Sequence, residues 1–125
     1  VEGKMIRVLV VDDHVMVREG LRNLLCCYGD VEIVAEASDG REAVMLTKAL
    51  HPNVVVMDVN MPRMNGVEAT REIKQHFPDV VVIGLSVNAG GETTRAMRQA
   101  GAQQLITKES AVEELYAAIH QAVSH

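Results

Sequence analysis

The chain alternates between short apolar runs and longer segments in which apolar residues recur every three or four positions. Five apolar runs stand out: Ile6–Val11, Val31–Ala35, Val54–Asp58, Val80–Ser86 and Gln104–Thr107. Three of them are rich in Val and Ile and are continuous rather than alternating. Continuous runs are typical of strands that are buried on both faces of a parallel sheet. The pattern therefore predicts five β-strands.

The segments between these runs have the periodicity of amphipathic helices. The first carries a single apolar stripe made by Val17, Leu21, Leu24 and Leu25, and Gly29 with Asp30 ends it. Three further helices are predicted to begin at about Gly40, Gly66 and Ala111. Each follows a capping residue with an acid three positions later, in the pairs Asp39 and Glu42, Asn65 and Glu68, and Ser110 and Glu113. A weaker helix covers Glu92–Ala100.

Strands and helices thus follow one another in strict alternation, with no linker or repeat between them. This order predicts an α/β fold, a doubly wound parallel sheet with helices on both faces. Ligands of such folds bind beyond the carboxyl ends of the strands, where the strand order reverses. We therefore expect catalytic and ligand-binding residues at that edge of the sheet.

Composition narrows the classes of function. The 125 residues are 48% apolar and suit one domain, which we assign to residues 5–125, with residues 1–4 as a linker or remnant. A net charge of -5 and 2% aromatic residues disfavour nucleic-acid binding. No apolar run is long enough for a membrane span, and no signal peptide is evident. Adjacent Cys26 and Cys27 fit reduced thiols, so we expect a cytoplasmic protein.

Acids, a hydroxyl and a lysine stand at the ends of four predicted strands. Asp12 and Asp13 follow the first strand, Asp58 ends the third, Ser86 ends the fourth and Lys108 follows the fifth. Carboxylates that meet at one edge repel each other, and oxygen ligands of this kind suit Mg²⁺. A lysine and a hydroxyl beside the ion would hold a phosphoryl group. An Asp carboxylate can itself be the nucleophile that accepts it.

The motifs around these residues resemble the receiver domain of two-component response regulators. The resemblance covers Lys4–Val123 and is carried by Val8–His14, Val55–Gly66, Gly84–Ser86 and Ala100–Lys108. It implies a flavodoxin-like sheet with the strand order 2-1-3-4-5. It also implies a signalling domain rather than an enzyme, one that assists its own phosphorylation and dephosphorylation in a bacterial phosphorelay.

The resemblance assigns a role to each residue of the edge. Asp58 is implied to accept a phosphoryl group from the phosphohistidine of a sensor histidine kinase. Mg²⁺ is implied to bind Asp12, Asp13, Asp58 and the backbone carbonyl of Asn60. Ser86 takes the position of the switch hydroxyl, and Lys108 that of the lysine that contacts the phosphoryl group.

A second set of residues points to a subfamily. The spacing of Asp12, Asp13, His14, Arg18 and Gly20-Leu21 resembles receivers of the LuxR type, whose usual partner is a helix-turn-helix DNA-binding domain. A single-domain receiver and the receiver of a hybrid histidine kinase remain as alternatives. A homodimer through the fourth helix, fifth strand and fifth helix is a further expectation. Many receivers carry Tyr or Phe three residues before the lysine, where this chain has Leu105.

Three other functions compete with this interpretation. A phosphatase of the haloacid dehalogenase type needs a second acid two residues after the nucleophile, where this chain has Asn60. A flavodoxin-like cofactor binder would not place Asp12 and Asp13 beside a phosphate, and the aromatic rings that hold a flavin are missing. An interaction module that works without phosphorylation would not need the intact set of residues. His14 is expected to have a peripheral role at the start of the first helix.

Overall fold

Five strands and five helices alternate along the chain in a computed structural model that describes residues 5–88 and 90–123. The strands are β1 (Ile6–Val11), β2 (Val31–Ala37), β3 (Val54–Asp58), β4 (Val81–Ser86) and β5 (Gln104–Thr107). The helices are α1 (Val15–Cys26), α2 (Gly40–Leu50), α3 (Gly66–His76), α4 (Gly91–Ala100) and α5 (Ala111–Val123). The alternation predicted from the sequence is confirmed. The assignment of residues 1–4 to a linker lies outside the described residues.

The five strands form one parallel sheet in the order β2-β1-β3-β4-β5, as expected. The strand order reverses at β1, which pairs with β2 on one side and β3 on the other. The helices that leave β1 and β3 therefore pass to opposite faces and open a crevice at the carboxyl ends of these two strands.

Each face of the sheet has its own apolar core, which explains the continuous Val and Ile runs. Val8 and Val10 of β1 face α1 and α5, where they join Leu25 and Leu115. The alternate residues of β1 face the other side, where the core includes residues of α2, α3 and α4. Because successive side chains of a strand point to opposite faces, a strand covered on both faces is apolar at every position.

The predicted boundaries differ from the structure by one or two residues. β2 continues to Ala37 rather than Ala35, because Ala37 pairs with Val11 and its carbonyl accepts the amide of Asp12 at 3.0 Å. β4 begins at Val81 rather than Val80, because the Val80 amide closes a turn on the carbonyl of Phe77. The first difference is set by pairing with a distant segment, which local patterns do not report, and the second by a local turn.

The predicted helix starts are confirmed, two of them with side-chain caps. The Asp39 carboxylate accepts the amide of Glu42, and Asn65 and Glu68 form a reciprocal capping box. At α5 the amide of Glu113 donates instead to the main-chain carbonyl of Ser110, 3.1 Å away. Among the described residues, no helix is both long and apolar enough to cross a membrane.

A close backbone approach ties the start of α3 to the end of β3. A Cβ atom on Gly66 would lie 2.2 Å from the carbonyl oxygen of Asp58 and 2.8 Å from the Cα of Val59. The Gly66 amide also donates to the Val59 carbonyl at 2.8 Å. The absent side chain thus lets the helix pack directly on the backbone that carries Asp58.

We expect the variant Gly66→Ala to lose about 3 kcal/mol of stability or more, because the clash is with backbone that cannot move without displacing Asp58. Gly20→Ala is the matched control: it lies in α1 with no atom within 4 Å of the added methyl group. That helix change should stabilise the fold by up to about 1 kcal/mol. Urea unfolding of both variants measures the difference, and equal stabilities would contradict the packing described for Gly66.

Candidate functional site

The residues predicted to carry the chemistry meet at the carboxyl edge of the sheet. Asp12 and Asp13 follow β1, Asp58 is the last residue of β3, Ser86 is the last of β4, and Lys108 follows β5. Asp12, Asp58 and Ser86 are buried, although they are polar. The sheet therefore holds a polar cluster at one end of an otherwise apolar core.

Lys108 joins two of the acids. Its Nζ lies 2.9 Å from Oδ2 of Asp12 and 3.2 Å from Oδ1 of Asp58, and both carboxylates are shielded from solvent. The Lys108 amide donates to the carbonyl of Ser86 at 2.8 Å, which fixes the start of the lysine side chain beside β4. One ammonium group is thus shared between two buried carboxylates.

His14 contacts the acids from the other side. Its Nδ1 lies 3.0 Å from Oδ1 of Asp12 and 3.1 Å from Oδ1 of Asp13, and its amide donates to Asp12 Oδ1 at 2.9 Å. The structure confirms that His14 begins α1, as its N-cap residue. The expected place at the start of the first helix is thus borne out, and the ring, whose side chain is 65% exposed, also contacts both carboxylates. Its place directly after the Asp pair was the signal in the sequence.

The cluster has the composition of a site for a hard cation. Ligand atoms of Asp12, Asp13, His14 and Asp58 all lie within 4.8 Å of one another. Oδ2 of Asp58 is buried and has no hydrogen-bond partner among the described residues. A buried carboxylate oxygen without a partner is costly unless a ligand satisfies it. Since Mg²⁺ prefers oxygen ligands, the three carboxylates fit it better than the imidazole does.

The remaining predicted residues, Asn60 and Ser86, flank this cluster. Asn60 follows Asp58 by two residues, and its backbone N–H acts to lower the pKa of the Asp58 carboxyl. The Ser86 hydroxyl accepts the amide of Asn88 at 3.3 Å, and β4 pairs with β3 beside Asp58. The metal role of the Asn60 carbonyl stays a prediction, as does the switch role of Ser86.

Burial makes the charge of Asp58 unfavourable. Loss of solvent and, secondly, the nearby Asp12 raise the pKa of Asp58 to about 6, although Lys108 opposes the shift. Burial also acts against the charge of Lys108, but the two carboxylates outweigh it and raise the pKa of the lysine. A cation bound at Asp58 would favour its ionised form.

The loop between β3 and α3 is held from α2, by contacts that sequence patterns did not reveal. The Gly40 amide donates to the Met64 carbonyl at 2.9 Å. Arg63 has a left-handed backbone (φ 65°), and its guanidinium pairs with the buried Asp39 at 2.7 Å. The hydrogen bond from the Glu42 amide outweighs burial and, together with Arg63, lowers the pKa of Asp39. This ion pair helps to hold an uncommon backbone conformation in the loop that follows Asp58.

Comparisons with known proteins point to one family. Residues 8–120 match the response regulator receiver domain family. The transcriptional regulatory protein DegU of Brevibacillus brevis is 37% identical over 119 residues, which are 95% of this chain and 50% of DegU. The chain thus spans about half the length of this curated relative.

Two solved structures are similar in both sequence and fold. The signal receiver domain of the response regulator NarL from Mycobacterium tuberculosis superimposes with a TM-score of 0.90 at 31% identity, covering 98% of this chain and 99% of that one. A LuxR-family two-component response regulator from Aurantimonas sp. SI85-9A1 gives a TM-score of 0.89 at 36% identity, covering 94% of this chain and 84% of that one.

The raised pKa of Asp58 predicts a pH-dependent cost in the metal-free protein. Because the folded pKa lies above the unfolded value of 3.8, the cost is small below about pH 4 and grows until the pH passes 6. In EDTA, Asp58→Asn should therefore stabilise the fold by up to about 3 kcal/mol at pH 7.5 and by much less at pH 4.5.

Urea unfolding at the two pH values measures this difference. Asp79→Asn is the control, because Asp79 is exposed and lies at the opposite end of the sheet, just before β4. A gain for Asp58→Asn that does not change with pH, or the same gain for Asp79→Asn, would contradict the electrostatic account.

Proposed function

The chain belongs to the response regulator receiver domain family, and we propose that Asp58 accepts a phosphoryl group from the phosphohistidine of a sensor histidine kinase in the presence of Mg²⁺. The observation that carries the proposal is the buried Asp58 carboxylate, which has one oxygen on Lys108 and the other without a hydrogen-bond partner in the part of the chain that the structure describes. That second oxygen is the nucleophile. Signal transfer by a receiver domain is the function of the family, and we extend it here to the roles of Asp58, Lys108 and Ser86.

Transfer forms one bond and breaks another. Oδ2 of Asp58 attacks the phosphorus, the bond between phosphorus and the histidine nitrogen breaks, and an aspartyl phosphate results, with the electron pair left on the imidazole. Lys108 already lies beside Oδ1, so its ammonium can contact an oxygen of the arriving group. The Ser86 hydroxyl, at the end of the next strand, supplies a further donor. The chain thus orients the group and compensates its charge.

The carboxylates of Asp12, Asp13 and Asp58, with the Asn60 carbonyl, are the proposed metal ligands. When bound there, Mg²⁺ supplies positive charge that offsets the repulsion of the acids and stabilises the transferred phosphoryl oxygens. Asp12 has one oxygen on His14 and one on Lys108, whereas Asp13 is partly open to solvent. We therefore expect Asp13 and Asp58 to make the closest protein contacts with the ion.

Exposed apolar residues of this chain offer the kinase a surface to bind near the site. Val15 and Met16 begin α1, Val87 follows Ser86, and Val112 lies in the first turn of α5, and all four are strongly exposed. Large exposed apolar side chains that surround a polar centre are typical of a contact surface. We propose that this ring, Val15, Met16, Val87 and Val112, receives the kinase during phosphotransfer in the cytoplasm.

The alternatives are less well supported. A phosphatase of the haloacid dehalogenase type lacks its second acid, since Asn60 stands at that position. An interaction module that works without phosphorylation leaves the orphaned oxygen of Asp58 unexplained. The chain is therefore proposed to be a signalling domain that assists its own phosphorylation, not an enzyme acting on external substrates.

The output of the domain is proposed to follow Ser86 and Lys108. The negative charges of a phosphoryl group on Asp58 would attract the hydroxyl of Ser86 and the ammonium group of Lys108. The loops that follow these residues' strands, β4 and β5, lead to α4 and α5. Leu105 and Met97 fill the space beside Gly84, so aliphatic side chains pack at the position where many receivers carry Tyr or Phe. A homodimer through α4, β5 and α5, and a helix-turn-helix output domain like that of LuxR-type receivers, are proposed partners. A single-domain receiver and a hybrid kinase remain alternative architectures.

Incubation with acetyl phosphate and Mg²⁺ should add one phosphoryl group to the chain. We expect Asp58→Asn to abolish the gain, because the amide is not a nucleophile, whereas Asp79→Asn should keep it. Intact-mass spectrometry at short times measures the gain, and EDTA should suppress it. A full gain in Asp58→Asn would refute the assignment of the acceptor.

Mg²⁺ should also stabilise the folded chain by relieving repulsion among the acids. At 100 times the dissociation constant the gain is about 2.7 kcal/mol. Asp13→Asn should reduce it, because that change removes one proposed ligand. Thermal melts with and without Mg²⁺ provide the test, and coincident melts at saturating Mg²⁺ would exclude the metal site.

A further inference from the structure

Two arginines one turn apart on α1 bind the same acid but differ in what else they reach. Arg18 Nε lies 3.2 Å from Oε1 of Glu36, and Arg22 Nη1 lies 2.5 Å from Oε2 of Glu36. Arg18 also continues to the carboxyl edge, where its Nη1 donates to the main-chain carbonyl of Asp12 at 2.5 Å. Arg18 therefore connects α1, β2 and the acid pair.

The connection is shielded from solvent. The side chain of Arg18 is 15% exposed, against 43% for Arg22, and that of Glu36 is 24% exposed. Charge-assisted hydrogen bonds of a planar guanidinium are strong and directional, more so when water is excluded. Glu36 thereby holds the Arg18 guanidinium in one orientation, with a donor directed at Asp12.

The carbonyl that Arg18 binds belongs to the peptide between Asp12 and Asp13. On the other side of Asp12, its amide donates to the carbonyl of Ala37 at 3.0 Å. The Asp12 side chain is itself engaged by His14 and Lys108. The orientation of Asp13 therefore depends on a peptide plane whose oxygen is fixed by Arg18.

We propose that Arg18 is a positioning residue for the metal site: through the Asp12 carbonyl it orients the acid pair toward Mg²⁺, and Glu36 holds Arg18 in place. This inference rests on the proposed function, because it concerns the same ion. Arg18 belongs to the sequence motif that resembles LuxR-type receivers, and the proposed phosphotransfer chemistry gives this residue no role. Positioning of the acid pair gives it one.

The sign of the effect separates positioning from charge. Removing a cation near a dication site strengthens binding of the dication by Coulomb's law, whereas loss of orientation weakens it. We therefore expect Arg18→Met to weaken Mg²⁺ binding about tenfold or more, as outer-shell changes commonly do. A simple charge effect would act in the opposite direction.

Arg22→Met is the matched control, since it removes the same charge and a contact with the same Glu36. Its affinity for Mg²⁺ should equal that of the unaltered chain or be slightly higher. Arg18→Lys keeps the charge but loses the fork that spans Glu36 and the Asp12 carbonyl, so it should recover only part of the affinity. Titration of the full chain with MgCl₂, followed by amide NMR shifts, gives each dissociation constant.

Urea unfolding of every variant ensures that the affinities are compared in folded protein. If Arg18→Met does not fold, Arg18→Lys takes its place, because it keeps the charge and any loss of Mg²⁺ affinity in it then reports lost orientation. Wild-type affinity in the folded variant, or an equal loss in Arg22→Met, would overturn the positioning role. If the unaltered chain binds no Mg²⁺, the proposed metal site fails and this inference with it, whereas unchanged affinity in Arg18→Met alone leaves the proposed function intact.

Discussion

The burial of two carboxylates around a single lysine is the constraint on which the site depends. Asp12 and Asp58 are withdrawn from water at the ends of β1 and β3, and among the described residues Lys108 is the cation that pairs with both. Burial first, and the neighbouring Asp12 second, raise the pKa of Asp58, although Lys108 opposes the shift. The metal-free fold is therefore poised to take up positive charge, and a carboxylate with an unsatisfied oxygen can serve as a phosphoryl acceptor.

The scaffold maintains this unfavourable arrangement with backbone contacts that allow little adjustment. Gly40 and Gly66 let two helices pack on the loop after Asp58 without an intervening side chain, and Asp39 pairs with Arg63 to hold its left-handed backbone. On the other side, Arg18 fixes the carbonyl of Asp12. Strain and repulsion at a functional site persist only where the surrounding structure over-determines them.

The strand ends that hold Asp58 also lead to the surface of the domain. The exposed apolar residues Val15, Met16, Val87 and Val112 follow the ends of β1, β4 and β5, and the loops after β4 and β5 lead on to α4 and α5. The Lys108 side chain contacts the acids, and the Lys108 amide donates to the carbonyl of Ser86. A phosphoryl group added to Asp58 would therefore act on the loops after β4 and β5 together.

The sequence by itself determined the alternation of strands and helices, and the residues of the site could be predicted because parallel strands deliver their last residues to one edge. Asp12, Asp58, Ser86 and Lys108 were found in this way, from local patterns with a fixed period. The contacts of His14, the pairing of Asp39 with Arg63 and the reach of Arg18 to Asp12 were decided only by the tertiary structure. Asp39 and Arg63 are 24 residues apart, and the contacts of His14 and Arg18 depend on the direction of their side chains. Hydrophobic periodicity encodes neither, because it reports which residues are buried and not which residues they contact.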